Sequence, residues 1–187
     1  MSKDIFVLVE TKENQVRKVS FELLTMAKSV AEILASKTYA VVLGCDQAEV
    51  AQEVAGFADA VLVVDDEALK QYRNDLFAGA LEDLIHKYRP FLVFGPATTT
   101  GRDLFPRVAA RLNTGIVADA VGIEVTAESV KVKKPIFGGR VVSWVECRSA
   151  PTTIVTFRPN TFSIEKQASI GEIIKENVSL KADPRIT

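Results

Sequence analysis

The chain is poor in the residues that do chemistry. Two cysteines, Cys45 and Cys147, and one histidine, His86, are spread over 187 residues. They lack the paired local spacing of a zinc site, which needs four soft ligands in close order. With one histidine and no nucleophile at a recognisable spacing from it, there is no Ser/His/Asp set. Both cysteines end strand-like runs and read as small, semi-buried hydrophobes. His86 sits late in a helical pattern with Lys87 and Arg89 after it, where the helix dipole favours a cation. No GxGxxG follows the first strand and no P-loop occurs, which argues against dinucleotide binding of the usual kind. Charge of one sign is missing too: 23 basic residues face 24 acidic ones, a net of −1. That balance gives no electrostatic case for nucleic acid or an anionic membrane. No apolar stretch approaches a membrane span, so membrane insertion is not expected. The N-terminal apolar run is too short for a signal peptide, which makes the cytoplasm the expected compartment.

What is present is core. Hydrophobic residues make up 48% of the chain, enough for one generous domain. In the first two thirds, short apolar runs alternate with helical periodicity. Runs at 5–9, 39–43, 60–64 and 91–95 predict strands; 20–35, 48–55, a stretch capped by Asn74 and ended by Pro90, and a stretch ending near Leu112 predict helices. Strands that are apolar throughout indicate burial on both faces. The expected fold class is therefore α/β: a three-layer α/β/α arrangement around a mostly parallel sheet. The last third is β-rich. Runs at 115–125, 129–132, 141–147 and 152–157 read as strands completing the sheet, with an antiparallel excursion through Val130-Lys131-Val132. Residues 133–140 read as a loop that needs the backbone freedom of Gly138 and Gly139. Ile170 to Lys175 reads as one helical turn, and 178–187 as an extended arm. The expected organisation is a domain over 1–160 and a linker or extended arm over 161–187, stopping in mid-linker.

The most informative segment is Thr98-Thr99-Thr100-Gly101-Arg102-Asp103-Leu104-Phe105-Pro106-Arg107. It puts hydroxyls, a glycine and an arginine where a buried strand turns into a helix, the edge at which open α/β sheets bind ligands. Thr100 and Asp103 resemble a capping box, but Pro106 would then fall in the second turn against a carbonyl. A helix starting near Asp103 avoids this and leaves Thr98 to Arg102 as a loop. The local reading is capping plus a solvated charged face, with Asp103 and Arg107 as a favourable pair and Arg111 a turn beyond. The functional reading is contact with a phosphate, a flavin group or a partner carboxylate through Arg102 and nearby amides. Gly138-Gly139 is either a tight hairpin or a close approach to a partner.

Several segments together resemble the electron transfer flavoprotein alpha subunit: Lys18 to Leu24, Gly101 to Leu112, Thr114 to Asp119, Pro135 to Gly139, Phe157-Arg158-Pro159, and Ala182-Asp183-Pro184-Arg185. The resemblance covers almost the whole chain. It implies an adenine nucleotide alpha hydrolase-like fold without that group's complete nucleotide motif. It also implies a subunit that pairs with an electron transfer flavoprotein beta subunit and carries electrons from acyl-CoA-type dehydrogenases to a membrane oxidoreductase, or takes part in electron bifurcation. The family's FAD lies mainly in a second domain whose motifs have no counterpart here. The expected role is thus scaffolding without catalysis, and no cofactor is expected on this chain alone. Arg102, Asp103, Gly138, Gly139 and Arg140 are the expected partner contacts, Arg140 standing where the family loop commonly has asparagine. The rival expectation is a stand-alone adenine-nucleotide-binding module using Thr98, Thr99, Thr100, Gly101, Arg102 and Asp103. A small hydrolase would need a nucleophile–base pair that the sequence does not supply.

Overall fold

The structure, a computed structural model, describes residues 3–126, 129–147, 151–166 and 170–184. The chain opens with β1 (Ile5–Leu8), a small hairpin of β2 (Thr11–Lys12) and β3 (Gln15–Val16), α1 (Lys18–Leu34), β4 (Thr38–Gly44) and α2 (Ala48–Val54). It continues through β5 (Ala60–Asp65), α3 (Asn74–Tyr88), β6 (Leu92–Pro96) and α4 (Thr99–Arg111). The last third holds β7 (Ile116–Ala120), β8 (Gly122–Val125), β9 (Val130–Ile136), β10 (Val141–Cys147), β11 (Thr153–Phe157) and β12 (Glu172–Lys175).

Seven strands form one parallel sheet in the order β12-β5-β4-β1-β6-β11-β7. Successive side chains of each strand point to opposite faces. Ile5, Val7, Ala40, Val42 and Phe94 pack with α1 and α2 on one side, while Phe6, Leu8, Val41, Leu43 and Val93 pack with α3 and α4 on the other. Two cores explain why these strands are apolar at every position. The three-layer α/β/α expectation holds.

The last third departs from expectation in four places. First, of the strands expected at 115–157 only β7 and β11 join the main sheet; β8, β9 and β10 form a separate antiparallel sheet in the order β10-β9-β8. Second, Val121 breaks the expected 115–125 run, so β7 and β8 are distinct. Third, residues 133–136 are strand, not loop, and the turn is confined to Phe137–Arg140. Pro135 is tolerated because β8 begins opposite Lys133, so β9 has a single paired neighbour at Pro135 and the missing N–H costs little. Fourth, Glu172–Lys175 is an edge strand beside β5 rather than a helical turn. Pairing with β5 overrides the weak helical pattern there, since the edge of a parallel sheet offers a full row of backbone partners.

Beyond β12, the buried Glu176 accepts hydrogen bonds from Tyr88 Oη and, at 2.6 Å, from Lys87 Nζ on α3. The Ser179 amide reaches Asp83 at 3.2 Å and the Asp183 amide reaches Asp75 at 2.7 Å, so the expected arm lies along α3. Residues 185–187 of that arm lie outside the described residues. Asn74 is the first residue of α3 rather than its cap; the cap is Arg73, without a side-chain cap hydrogen bond. The Asn74 side chain is spent on Asp103 instead. Among the described residues, no helix is long and apolar enough to cross a membrane.

Candidate functional site

The chain steps from β1 outward to β4 and β5, then returns to the other side of β1 with β6. The turns after β1 and β6 therefore diverge and leave a crevice at the carboxyl ends of the strands. The Thr98 to Asp103 segment stands on its rim. Helix α4 begins at Thr99, earlier than the expected start near Asp103, with Thr98 as N-cap. The Thr98 hydroxyl accepts from the Gly101 amide at 3.2 Å and donates to Glu10 at 2.7 Å. Pro106 is carried inside the helix, where it cannot donate to the Arg102 carbonyl. The expected conflict is absorbed within the helix rather than avoided. Gly101 is dictated by space: a Cβ there would lie 1.8 Å from the Pro96 carbonyl oxygen.

The predicted residues then part company. Thr99 is exposed and Thr100 lines the crevice. Asp103 accepts from the Tyr72 hydroxyl at 2.7 Å and from Asn74, and these bonds hold its carboxyl below the usual range. Burial and the bond to Asp103 push the Tyr72 phenol up. Arg107, the expected partner, acts on Asp103 only through its charge; Arg111 binds Glu82 at 2.5 Å.

Arg102 turns the other way. Its Nε donates to the Ala97 carbonyl at 3.1 Å, and a terminal nitrogen lies 3.6 Å from Asp119 at the end of β7. Arg158, just past β11, grips the same carboxylate with two nitrogens at 2.7 and 3.2 Å. Arg158, with Arg102 and Lys134 behind it, holds the Asp119 carboxyl below its usual range. Three cations around one carboxylate make an exposed basic patch where the main sheet meets the antiparallel one. Sequence reasoning missed Asp119, Arg158 and Lys134 as a cluster. Their signal was present, since Asp119 and Arg158 lie at the ends of the neighbouring strands β7 and β11 and both lie in segments that carry the family resemblance.

The antiparallel sheet buries one face and bares the other. Ile123, Val125, Val130, Val132 and Val145 join the core on the α1 side. On the outer face Trp144 is 46% exposed, with Lys133 Nζ 5.9 Å from its ring centre, and Val142 is exposed beside it. Gly138 and Gly139 form the hairpin tip with φ of 67° and 87°, preceded by Phe137 at φ 51° and 78% exposed. The glycines are thus needed for the turn itself. Arg140 follows, exposed. Among the described residues, no hydrogen bond or ion pair joins this tip to Arg102 or Asp103.

The crevice itself has a volume of about 210 Å³ and is lined by the ends of β1, β4 and β6. A ligand phosphate would be expected at the start of α4. There, however, Glu10 places its own carboxylate on Thr98, backed by Arg17 at 2.8 Å. A dinucleotide's phosphates do not fit beside that charge. Cys45 donates to Glu67 at 3.2 Å, which with nearby Asp46 pushes its thiol up to about 11, and burial pushes Cys147 up. Neither is a ready thiolate. Among the described residues, no group of three or more His, Cys, Asp or Glu is placed to hold a metal ion.

Comparison with known proteins agrees with this architecture. The electron transfer flavoprotein domain family matches residues 5–181. Protein FixB of Clostridium saccharobutylicum is 37% identical over 96% of this chain and 54% of its own length. The electron transfer flavoprotein subunit alpha of Clostridium acetobutylicum is 34% identical over 96% of this chain and 55% of its own. The LctC subunit of the lactate dehydrogenase (NAD(+),ferredoxin) of Acetobacterium woodii is 32% identical over 89% of this chain and 40% of its own. The chain thus spans about half the length of the first two relatives. With the family matched across nearly the whole chain, and α-type relatives above 30% identity over most of it, this chain belongs to the electron transfer flavoprotein family, as an α-subunit N-terminal domain.

Proposed function

We propose that this domain is the docking half of an electron transfer flavoprotein α subunit. It holds a β subunit in place while flavin and electrons are handled elsewhere in the assembly. The observation that carries this reading is the bared outer face of β9 and β10. Its one tryptophan, Trp144, lies among Val142, Pro135 and Lys133, on the same small sheet whose Lys134 adds to the Arg102–Asp119–Arg158 patch. A central aromatic with arginines at the rim is the composition of interface hot spots. Cross-strand registry makes the face continuous, with Trp144 opposite Lys133 and Val142 opposite Pro135. The partner surface it fits is apolar at its centre and acidic at its edge. Gly138, Gly139 and Arg140 extend the same hairpin and form the outer part of that contact.

The related proteins support an electron-transfer role, some of them as subunits of enzyme complexes. In this reading FAD is bound mainly by another domain of the assembly, and acyl-CoA-type dehydrogenases supply the electrons. The folded domain, which takes in β12 beside β5, does the docking, and the chain after it leads toward the flavin-binding part. The soluble cytoplasm is its place of work. The purified chain should be colourless and should co-elute with a cognate β subunit in the presence of FAD. A chain that carries stoichiometric flavin alone, or that fails to co-elute, contradicts the proposal.

The crevice at the strand ends keeps the second reading, an adenine-nucleotide module, open to test. Glu10 at the head of α4 speaks against it. Calorimetry with AMP or ATP should give no binding heat if docking is the function.

A further inference from the structure

The hairpin that joins β9 to β10 projects farther than a flat docking face requires. Val141 and Val142 point to opposite faces of the strand, yet each is 47% exposed. Deeper in the same sheet the two faces differ, with Val132 and Val145 packed on the core side and Trp144 outside. Equal exposure of the two valines marks where the support of the core ends. β8 gives none there either, since its pairing with β9 starts at Lys133, short of the Pro135–Val142 and Ile136–Val141 pairs. Neither face of the tip is covered as the rest of the sheet is.

The leading residue of that tip is unfavourable on two counts. Phe137 is 78% exposed and holds φ at 51°. Among the described residues, the other non-glycine residues at positive φ are Asn, Asp or Glu, or the helix caps Ala35 and Arg89. Phe137 is the one large apolar side chain in that region of backbone, where Cβ crowds the following carbonyl. Glycine or asparagine would sit there with less strain. The ring gives little back, because apolar surface left in water adds nothing to folding. Strain and exposure thus both stand in the free domain, and burial of the ring in a complex offsets them.

We infer that the 137–142 tip is a finger that enters an apolar socket on the β subunit, with the Phe137 ring deepest. Val141 and Val142 lie against opposite walls of that socket, and the exposed Arg140 meets an acidic group at its rim. The inference rests on the docking reading and deepens it. A flat contact needs Trp144 alone, whereas a finger needs Phe137 as well.

Phe137→Asn tests this, because the free domain and the complex should respond in opposite directions. Asparagine tolerates the left-handed backbone, so the 187-residue variant should melt about 2 °C higher than the parent chain. Its affinity for the cognate β subunit, measured by calorimetry with FAD present, should fall about tenfold. Phe137→Leu, apolar but equally strained, should leave the melting temperature unchanged and keep most of the affinity. Unchanged affinity of Phe137→Asn for a β subunit that the parent chain binds would overturn the finger and leave docking intact. A lower melting temperature would show the ring serving its own domain, and a leucine loss as large as that of asparagine would contradict an apolar socket; either result overturns the inference. A parent chain that never binds the β subunit removes the docking reading itself, and the finger with it.

Discussion

Every residue of β1, β6 and β11 is buried, whereas no residue of β10 is, and from Val142 on it alternates between exposed and half-buried positions. The two sheets lie side by side and do different jobs. The parallel sheet is covered on both faces, so its side chains are committed to two cores. The antiparallel sheet covers its inner face against the α1 side and leaves Trp144 and Val142 in solvent. An isolated monomer has no reason to expose its one tryptophan on a flat strand face. A protein that docks through that face does.

Substitutions should separate the two sheets. The largest effect belongs to the buried one. Phe157 is fully buried, with its ring edge-on to Phe94 at 5.2 Å and Phe162 at 5.4 Å. Phe157→Ala should cost about 3–5 kcal/mol of folding stability in urea denaturation. Trp144→Ala should reverse the pattern. Stability should change by less than about 1 kcal/mol, while affinity for the β subunit, measured by calorimetry, should fall by about 2 kcal/mol, some thirtyfold. If Trp144→Ala unfolded the chain and left affinity intact, the distinction between the sheets would be lost.

Smaller effects sharpen the comparison at the hairpin tip and the patch. Gly138→Ala at φ 67° should lose about 1 kcal/mol by thermal denaturation, because a side chain is strained in that region. At the patch, the folded Asp119 carboxyl titrates below the ordinary value of about 3.9. Its contribution to stability is therefore complete above that ordinary value and is lost as pH falls through the lower folded one. Asp119 is partly exposed, so the loss is a few tenths of a kcal/mol. Asp119→Asn should remove that increment from the acid limb of an unfolding curve and leave the neutral region nearly flat.

How far the sequence reveals all this follows from the same contrast. Strands buried on both faces write themselves as unbroken apolar runs, which is why the 5–9, 39–43, 60–64 and 91–95 runs were placed within a residue or so. A strand buried on one face alternates. In Val130-Lys131-Val132-Lys133-Lys134-Pro135 the alternation ends in two lysines and a proline, a pattern that suggests a loop. Only the partner strand β10 holds that stretch extended. Glu172–Lys175 was misread because its strand character comes from β5, more than a hundred residues earlier in the chain. At the candidate site, Thr98 to Asp103 was found, but not that Arg102 and Asp103 face different neighbours. Helical spacing places consecutive residues about 100° apart, yet it does not say which strand ends they meet. The bond from Thr98 to the Glu10 carboxylate at the head of α4 spans a long sequence separation, and no local pattern announces it.

The central claim is that the outer face of β9 and β10 receives the β subunit. Because Trp144 is the one tryptophan of the chain, 5-fluorotryptophan labelling gives a single 19F resonance that reports on that face alone. On titration with unlabelled β subunit, the resonance should shift or broaden in proportion to complex formation and lose its sensitivity to solvent D2O. A complex that forms by gel filtration while this resonance stays unmoved and solvent-exposed would contradict the account.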